Sequence, residues 1–232
     1  MTPALWTILG IGALLGFRHA FEPDHLAAVS TLATRHGARV WAAARLGLAW
    51  GLGHTVTVGA VVLLIVALGV RVPPALWPAA ELVVAGLLVL LGGAVVWRYA
   101  RGRWHLHRHS HGAAPHFHLH SHAHEAGHGH AHATADARRS LGFGIAHGLA
   151  GSGAIAVLLV TAAPDATARI VYFAAFGAGT IAGMLSVSLT LAAVVRIASQ
   201  RSLRWATALH VGSAVVSVLA GAMLVQHVVW GG

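Results

Sequence analysis

The fold of this chain is decided by the stretch Gly16-Phe17-Arg18-His19-Ala20-Phe21-Glu22-Pro23-Asp24-His25-Leu26. It places two histidines, two carboxylates, an arginine and a proline between the apolar runs 4–15 and 27–33. Polar groups at this density are costly in apolar surroundings unless they have partners or a function. We therefore interpret the stretch as a metal site in a broken membrane helix.

Pro23 determines the geometry that we expect here. On a regular helix the side chains of His25 and Asp24 would lie about 120° and 140° from that of His19, so the three could not bind one ion. Pro23 has no N–H to donate to the carbonyl of His19, and it disfavours helical backbone at Glu22. We expect the helix to break here, which frees that carbonyl and lets the three side chains converge.

Two more histidines complete the predicted metal site. His54 lies well inside an apolar segment, where an ionisable side chain usually has a function. His147 lies in the glycine-rich stretch 142–153, a second weak helix without a carboxylate. The carboxylates also have a structural interpretation, a salt bridge from Arg18 to Glu22 or Asp24, so Arg18 and Glu22 are only possible secondary members. The predicted metal ligands are His19, Asp24, His25, His54 and His147.

The composition predicts an all-α integral membrane protein. Of the 232 residues, 57% are apolar and 9% are charged, whereas soluble domains carry about 25% charged residues. A helix needs about 20 predominantly apolar residues to cross the hydrocarbon layer. We predict six spans, at about 4–33, 41–69, 75–98, 140–163, 168–195 and 204–229.

The two halves of the chain resemble each other at a nearly constant offset. Gly16-Phe17-Arg18-His19-Ala20 aligns with Gly144-Ile145-Ala146-His147-Gly148, and Trp50-Gly51-Leu52-Gly53-His54 aligns with Phe176-Gly177-Ala178-Gly179-Thr180. Three spans per half is an odd number, so the second half would enter the membrane from the opposite side, as in many transporters. We predict two inverted three-helix repeats, 1–99 and 140–232, with the first helix of each repeat broken.

A histidine-rich segment, 100–139, connects the two predicted repeats. Its glycine, alanine and serine content predicts a disordered loop. Dense imidazoles favour Ni, Co, Zn or Cu(II), so we interpret the loop as a metal buffer, with a neutral repeat expansion or a pH-sensitive tail as alternatives. Its histidines are His105, His107, His109, His111, His116, His118, His120, His122, His124, His128, His130 and His132.

The charges predict the orientation in the membrane. All fifteen basic residues are arginines, and twelve of them fall in or beside the first, third and fifth loops, against two in the second and fourth. By the positive-inside rule both termini lie outside and the histidine-rich loop is cytoplasmic, as in a bacterial-type plasma membrane. Arginines placed between spans do not indicate nucleic-acid binding. The chain has no cysteine, which excludes thiolate ligands.

The motifs resemble those of the nickel/cobalt transporter family. Arg18-His19-Ala20-Phe21-Glu22-Pro23-Asp24-His25 is similar to the family signature R-H-A-x-D-A-D-H, and Leu52-Gly53-His54-Thr55 is similar to L-G-H-S/T. The chain resembles a short six-span member, and the resemblance implies that His19, Asp24, His25 and His54 select the metal. Glu-Pro replaces the usual Asp-Ala, and the second half lacks the family's acidic signatures. The Glu-Pro form with a histidine-rich third loop also resembles the family's efflux branch.

We expect a permease for Ni²⁺, Co²⁺ or both, in which the ion is the substrate and no cofactor is needed. Import is favoured over export, because a divalent ion gains about 4.6 kcal/mol per 100 mV when it enters the cell. The alternatives are a nickel/cobalt efflux protein, an exporter of a small anion or amino acid that uses Arg18, and an intramembrane metalloenzyme. The expected partners are the metal ion and the lipid bilayer.

Overall fold

A computed structural model of the chain describes residues 2–33, 40–68, 73, 75–101, 105–110, 115–120, 132–149 and 165–230. Within these residues the chain forms seven α-helices and two short strands. The elements are α1 (Pro3–His19), α2 (Pro23–Ala33), α3 (Val40–Leu68), α4 (Leu76–Ala100), β1 (His105–Ser110), β2 (Pro115–His120), α5 (His132–Leu149), α6 (Ala166–Arg201) and α7 (Leu203–Trp230).

The long helices make the chain an integral membrane protein. Helices α3, α4, α6 and α7 are each long and apolar enough to cross a bilayer, and α1 with α2 would form a fifth, bent span. These helices coincide with five of the six predicted spans. Helix α5 covers the first part of the predicted span 140–163, and the rest of that span lies outside the described residues. The predicted break in the glycine-rich stretch 142–153 therefore stays a prediction, since 142–149 is regular helix.

The break between α1 and α2 is confirmed at the predicted place. Helix α1 ends at His19, Pro23 begins α2, and the two axes differ by 57°. Proline suits the first position of a helix, where its missing N–H leaves no hydrogen bond unmade. The expectation that the His19 carbonyl is free is wrong, because the N–H of Glu22 donates to it at 3.0 Å. The turn therefore supplies the hydrogen bond to the His19 carbonyl that Pro23, which has no N–H, cannot donate.

Glycines let the helices pack backbone to backbone. A Cβ at Gly16 of α1 would overlap the carbonyl oxygen of Phe176 in α6, and a Cβ at Gly144 of α5 would overlap that of Trp50 in α3. Small residues at such crossings are a common basis of helix association in membranes. In both pairs the contacts advance along the two helices in the same direction, so α1 runs parallel to α6 and α5 runs parallel to α3.

Hydrogen bonds between helices fix the bundle further. The hydroxyl of Ser140 in α5 donates to the carbonyl of Leu46 in α3 at 2.8 Å. The hydroxyl of Ser217 in α7 donates to the carbonyl of Leu88 in α4 at 3.0 Å. Both serines are buried, and these contacts hold α5 in register on α3 and α7 in register on α4.

The histidine-rich segment differs from the prediction of a disordered loop. Strands β1 and β2 pair in an antiparallel arrangement, with His105 opposite His120 and His109 opposite His116. Alternation of histidine with another residue has the two-residue period of a strand, which explains the local structure. Helix α5 also begins at His132, before the predicted repeat boundary at 140. Residues 111–114 and 121–131 lie outside the described part.

The packing predicts different effects for two glycines that lie two residues apart in α5. Replacing Gly144 with alanine should lower the free energy of unfolding by roughly 1–3 kcal/mol, because the methyl group meets the backbone of Trp50. Gly142→Ala is the matched control, since nothing lies within 4 Å of its Cβ position. Alanine there should be neutral or stabilising by up to about 1 kcal/mol. Thermal unfolding in detergent measures both, and equal melting temperatures would contradict this packing.

Candidate metal centre

The structure brings the five predicted ligands together from four helices. His19 is the last residue of α1, Asp24 and His25 lie in the first turn of α2, His54 lies in α3, and His147 lies near the end of α5. All four histidines are buried, and the exposed fraction of each is 5% or less. The break between α1 and α2 places His19 and His25 side by side, with 4.5 Å between their ring centroids.

His19 and His54 face each other through their ring nitrogens. Their Nε2 atoms are 3.2 Å apart, and their ring centroids are 5.0 Å apart. Two nitrogens bound tetrahedrally to one ion at 2.0–2.1 Å would lie about 3.3 Å from each other. The pair therefore has the spacing of two ligands on a single ion, and the ring of His25 lies 5.4 Å from that of His54.

Asp24 connects His25 to His147. Its Oδ2 lies 3.0 Å from Nε2 of His147, and its Oδ1 lies 3.3 Å from Nδ1 of His25. The same Oδ1 accepts a hydrogen bond from the backbone N–H of His25 at 2.9 Å. A carboxylate in the first turn of a helix is stabilised by the helix dipole. Asp24 is thus held in place by α2 while it faces α5, and the rings of His25 and His147 are only 4.0 Å apart.

Glu22 supports the site from the turn. Its Oε1 lies 3.0 Å from Nδ1 of His19. A carboxylate at this nitrogen favours the tautomer whose Nε2 carries the lone pair, which is the usual arrangement behind a metal-binding histidine. Arg18 is exposed, and in the described part of the chain Glu22 and Asp24 contact histidines. The salt-bridge interpretation of the carboxylates therefore receives no support.

Two ring nitrogens of the cluster histidines have no hydrogen-bond partner in the part of the chain that the structure describes. Among the described residues, Nε2 of His25 and Nδ1 of His54 have no hydrogen bond. A buried polar atom without a partner costs about 1–3 kcal/mol. A bound cation could ligate such lone pairs, and a set of imidazoles with one carboxylate suits borderline divalent ions such as Ni²⁺, Co²⁺ and Zn²⁺.

Two stacked aromatic side chains, Trp50 and Phe143, form an aromatic wall on one side of the cluster, which the sequence pattern did not predict. The ring of Trp50 lies 5.8 Å from that of His147 and 6.3 Å from that of His25, and it stacks on Phe143 at 6.0 Å. Trp50 is 1% exposed, so the wall shields the histidines from water. Its position one helical turn before His54 was the signal available in the sequence, because residues four apart share a helix face.

The remaining acidic and histidine side chains lie elsewhere or cannot be placed. Two groups of possible metal ligands occur in the described residues, and neither contains Glu81, His210 or His227. His227 is exposed near the end of α7. For the predicted loop buffer, the structure gives backbone positions of the strand histidines and of His132, and the other loop histidines lie outside the described residues.

The fold and the site define a helical membrane protein with a buried cluster of histidines and one aspartate. The chain is 32% identical over 206 residues to the urease accessory protein UreH of Bacillus sp. (strain TB-90), over 86% of this chain and 82% of the relative. It therefore belongs to the UreH family of urease accessory proteins. No family model and no solved structure matches the chain. Membership of the nickel/cobalt transporter family is a narrower statement and stays a prediction.

The contact between Glu22 and His19 predicts a loss of metal affinity when the carboxylate is removed. Glu22→Ala should weaken Ni²⁺ binding to the cluster by about 10- to 100-fold, the usual cost of losing the partner of a ligating histidine. Titration calorimetry of the detergent-solubilised chain measures this, with His25→Ala as the blank for the loop histidines. Glu81→Gln, outside both ligand groups, is the control and should bind as the unmodified chain does. Unchanged affinity in Glu22→Ala would show that its contact with His19 does not support the metal.

Proposed function

We propose that the chain is a permease that carries Ni²⁺ or Co²⁺ across a membrane, and that the ion is its substrate. The observation that carries the proposal is the meeting of five metal-binding side chains from four helices inside the bundle. His54 lies about 21 Å along α3, a helix about 43 Å long, so the cluster lies near the middle of the span. Non-helical backbone at this depth is tolerated only where it lines protein or a cavity, and the turn at 20–22 lines this cluster.

The relative supports nickel as the substrate. Its name places it among the proteins that assist urease, an enzyme that contains nickel. A membrane protein that delivers nickel ions to the cytoplasm would assist urease by supplying this metal. The donor set of imidazoles and a carboxylate fits nickel and cobalt equally, so the proposal includes both ions, and it places this chain close to the nickel/cobalt transporters in function.

Matching helix contacts support the proposal of two inverted repeats. The alignment of the two halves pairs Gly16 with Gly144 and Phe176 with Trp50. Gly16 packs against the carbonyl of Phe176, and Gly144 packs against the carbonyl of Trp50. Each first helix therefore rests on the second helix of the other half, and the same backbone contact is made twice.

The third helices repeat this pattern. Gly92 of α4 would place a Cβ against Ala214, Ser217 and Val218 of α7, and Gly221 of α7 would place one against Ala85, Leu88 and Val89 of α4. The two contacts are equivalent, because each residue of α4 named here has its counterpart 129 positions later in the sequence, in α7. Helices α4 and α7 pack antiparallel, as a two-fold axis in the membrane plane requires. Transporters with this symmetry hold their substrate near the midplane.

The arginine distribution supports an orientation with both termini outside and the histidine-rich loop in the cytoplasm. The loop would then buffer ions that have entered the cell. The chain has no native cysteine, so a cysteine introduced at Ser121 would be labelled by an impermeant reagent only from the cytoplasmic side. Labelling of this cysteine in intact cells would show that the loop lies outside, which is the opposite of the proposed orientation.

Import is the direction that we propose, because the membrane potential favours entry of a dication. Efflux of the same ions is the second candidate. Export of an anion by way of Arg18 lacks support, since Arg18 is exposed and the neighbouring carboxylates contact the histidines.

Transport of radioactive Ni²⁺ tests the proposal. Cells that express the chain should accumulate Ni²⁺, and His19→Ala should reduce the initial rate at least about tenfold, because it removes one side of the imidazole pair. His227→Ala is the matched control, a histidine on α7 outside both ligand groups. Equal melting temperatures of the purified variants would show that His19→Ala folds.

Three results would overturn parts of the proposal. Full Ni²⁺ transport by His19→Ala would contradict the site. A net loss of cell-associated Ni²⁺ on expression would replace import with efflux. Absence of Ni²⁺ and Co²⁺ flux from liposomes that contain the folded chain would contradict the permease itself.

A further inference from the structure

The donor atoms of the cluster fall into two groups that share one histidine. One group is His19, His25 and His54, and the other is Asp24, His25 and His147. Within each group the ligand atoms lie within 4.8 Å of one another. The first group contains only buried imidazoles, whereas the second contains a carboxylate whose side chain is 28% exposed. His25 has no exposed surface and lies between the two groups.

The chemistry of imidazole limits how His25 can serve both groups. Its Nδ1 faces Asp24 at 3.3 Å, and its Nε2 is buried without a hydrogen-bond partner among the described residues. A neutral imidazole carries a lone pair on one ring nitrogen and a proton on the other. His25 can therefore ligate an ion in one group at a time.

We propose that the cluster holds one divalent ion in either of two adjoining positions, and that His25 is the ligand common to both. The inference rests on the permease proposed above and describes how its site works. The ion moves between the Asp24–His25–His147 position and the His19–His25–His54 position as the ring of His25 turns, so that the same unprotonated nitrogen binds the ion in both and no proton is exchanged. The ion is never released into the apolar bundle, which would be very costly for a dication.

Each position contains one member of a pair of equivalent histidines, one from each half of the chain. His19 and His147 are equivalent in the alignment of the halves. The ring of His19 lies 5.7 Å from Phe176, and the ring of His147 lies 5.8 Å from Trp50, the residue equivalent to Phe176. Each position is thus built on the equivalent histidine of one half. Movement of the ion between the positions transfers it from the histidine of the first half to the equivalent histidine of the second half.

Charge balance keeps either position from trapping the ion. Asp24 supplies a negative charge directly in one position. Glu22 supplies one to the other position through His19, whose Nδ1 it contacts at 3.0 Å. Each position therefore offers a dication one nearby carboxylate, and a substrate that must leave again needs two sites of similar strength.

Co²⁺ is the probe for a test, because its visible absorption reports the ligands around the ion. The full chain is titrated in detergent, and the spectrum of His25→Ala is subtracted to remove the signal of the loop histidines. We expect His54→Ala and His147→Ala each to keep one cluster-bound Co²⁺, with affinity lowered only about twofold, because each variant retains one of two positions of similar strength. The two spectra should differ, since one variant retains the position with the carboxylate and the other the position with imidazoles alone.

Measurement of Co²⁺ transport completes the test. Both variants should bind Co²⁺ and yet lose Co²⁺ transport in liposomes by at least tenfold, since neither can pass the ion on. Complete loss of the cluster signal in both variants would show a single five-ligand site and overturn the two positions, while the permease would stand. Identical Co²⁺ spectra of His54→Ala and His147→Ala would also contradict the existence of two positions. An unmodified chain that gives the same spectrum as His25→Ala would show that His25 is not a ligand and would overturn the inference, whereas only the absence of Co²⁺ flux by the unmodified chain would overturn the permease.

Discussion

A single regular helix through His19 and His25 would hold their side chains about 120° apart. The turn at residues 20–22 removes this constraint, because it bends the chain by 57° and restarts the helix at Pro23. His19 then ends one helix while Asp24 and His25 begin the next. His19 faces His54, Asp24 faces His147, and His25 lies beside both. Every contact of the metal centre depends on this break, and so does the proposed division of the cluster into two positions.

The cluster is held in place by packing that is unusually close. Gly144 and Gly148 bring α5 against the backbone of α3, so that His147 reaches Asp24. Four buried imidazoles without an ion leave ring nitrogens unsatisfied at a cost of about 1–3 kcal/mol each. The helix contacts must offset that cost in the absence of substrate, and binding of a cation reduces it. At the proposed metal site, the same unsatisfied nitrogens would favour a cation that prefers nitrogen ligands.

The sequence predicted the break and the membership of the cluster, because Pro23 and intramembrane histidines carry signals that local rules can interpret. It did not predict the partner of Glu22, because His19 and Arg18 lie three and four residues before it and only the turn decides between them. The contact of Trp50 with His25 and His147 was not predicted either, because a tryptophan in an apolar helix cannot be told from an ordinary core residue by its sequence alone. The strands of the histidine-rich segment show how a low-complexity composition can conceal a two-residue period.

The most direct test of the account is to locate nickel by anomalous scattering in crystals of the full chain grown with Ni²⁺. The account predicts a peak inside the bundle, about 2.1 Å from imidazole nitrogens of His25 and of either His147 or the His19–His54 pair. Peaks confined to the histidine-rich segment 105–132, with none among α1, α2, α3 and α5, would contradict it.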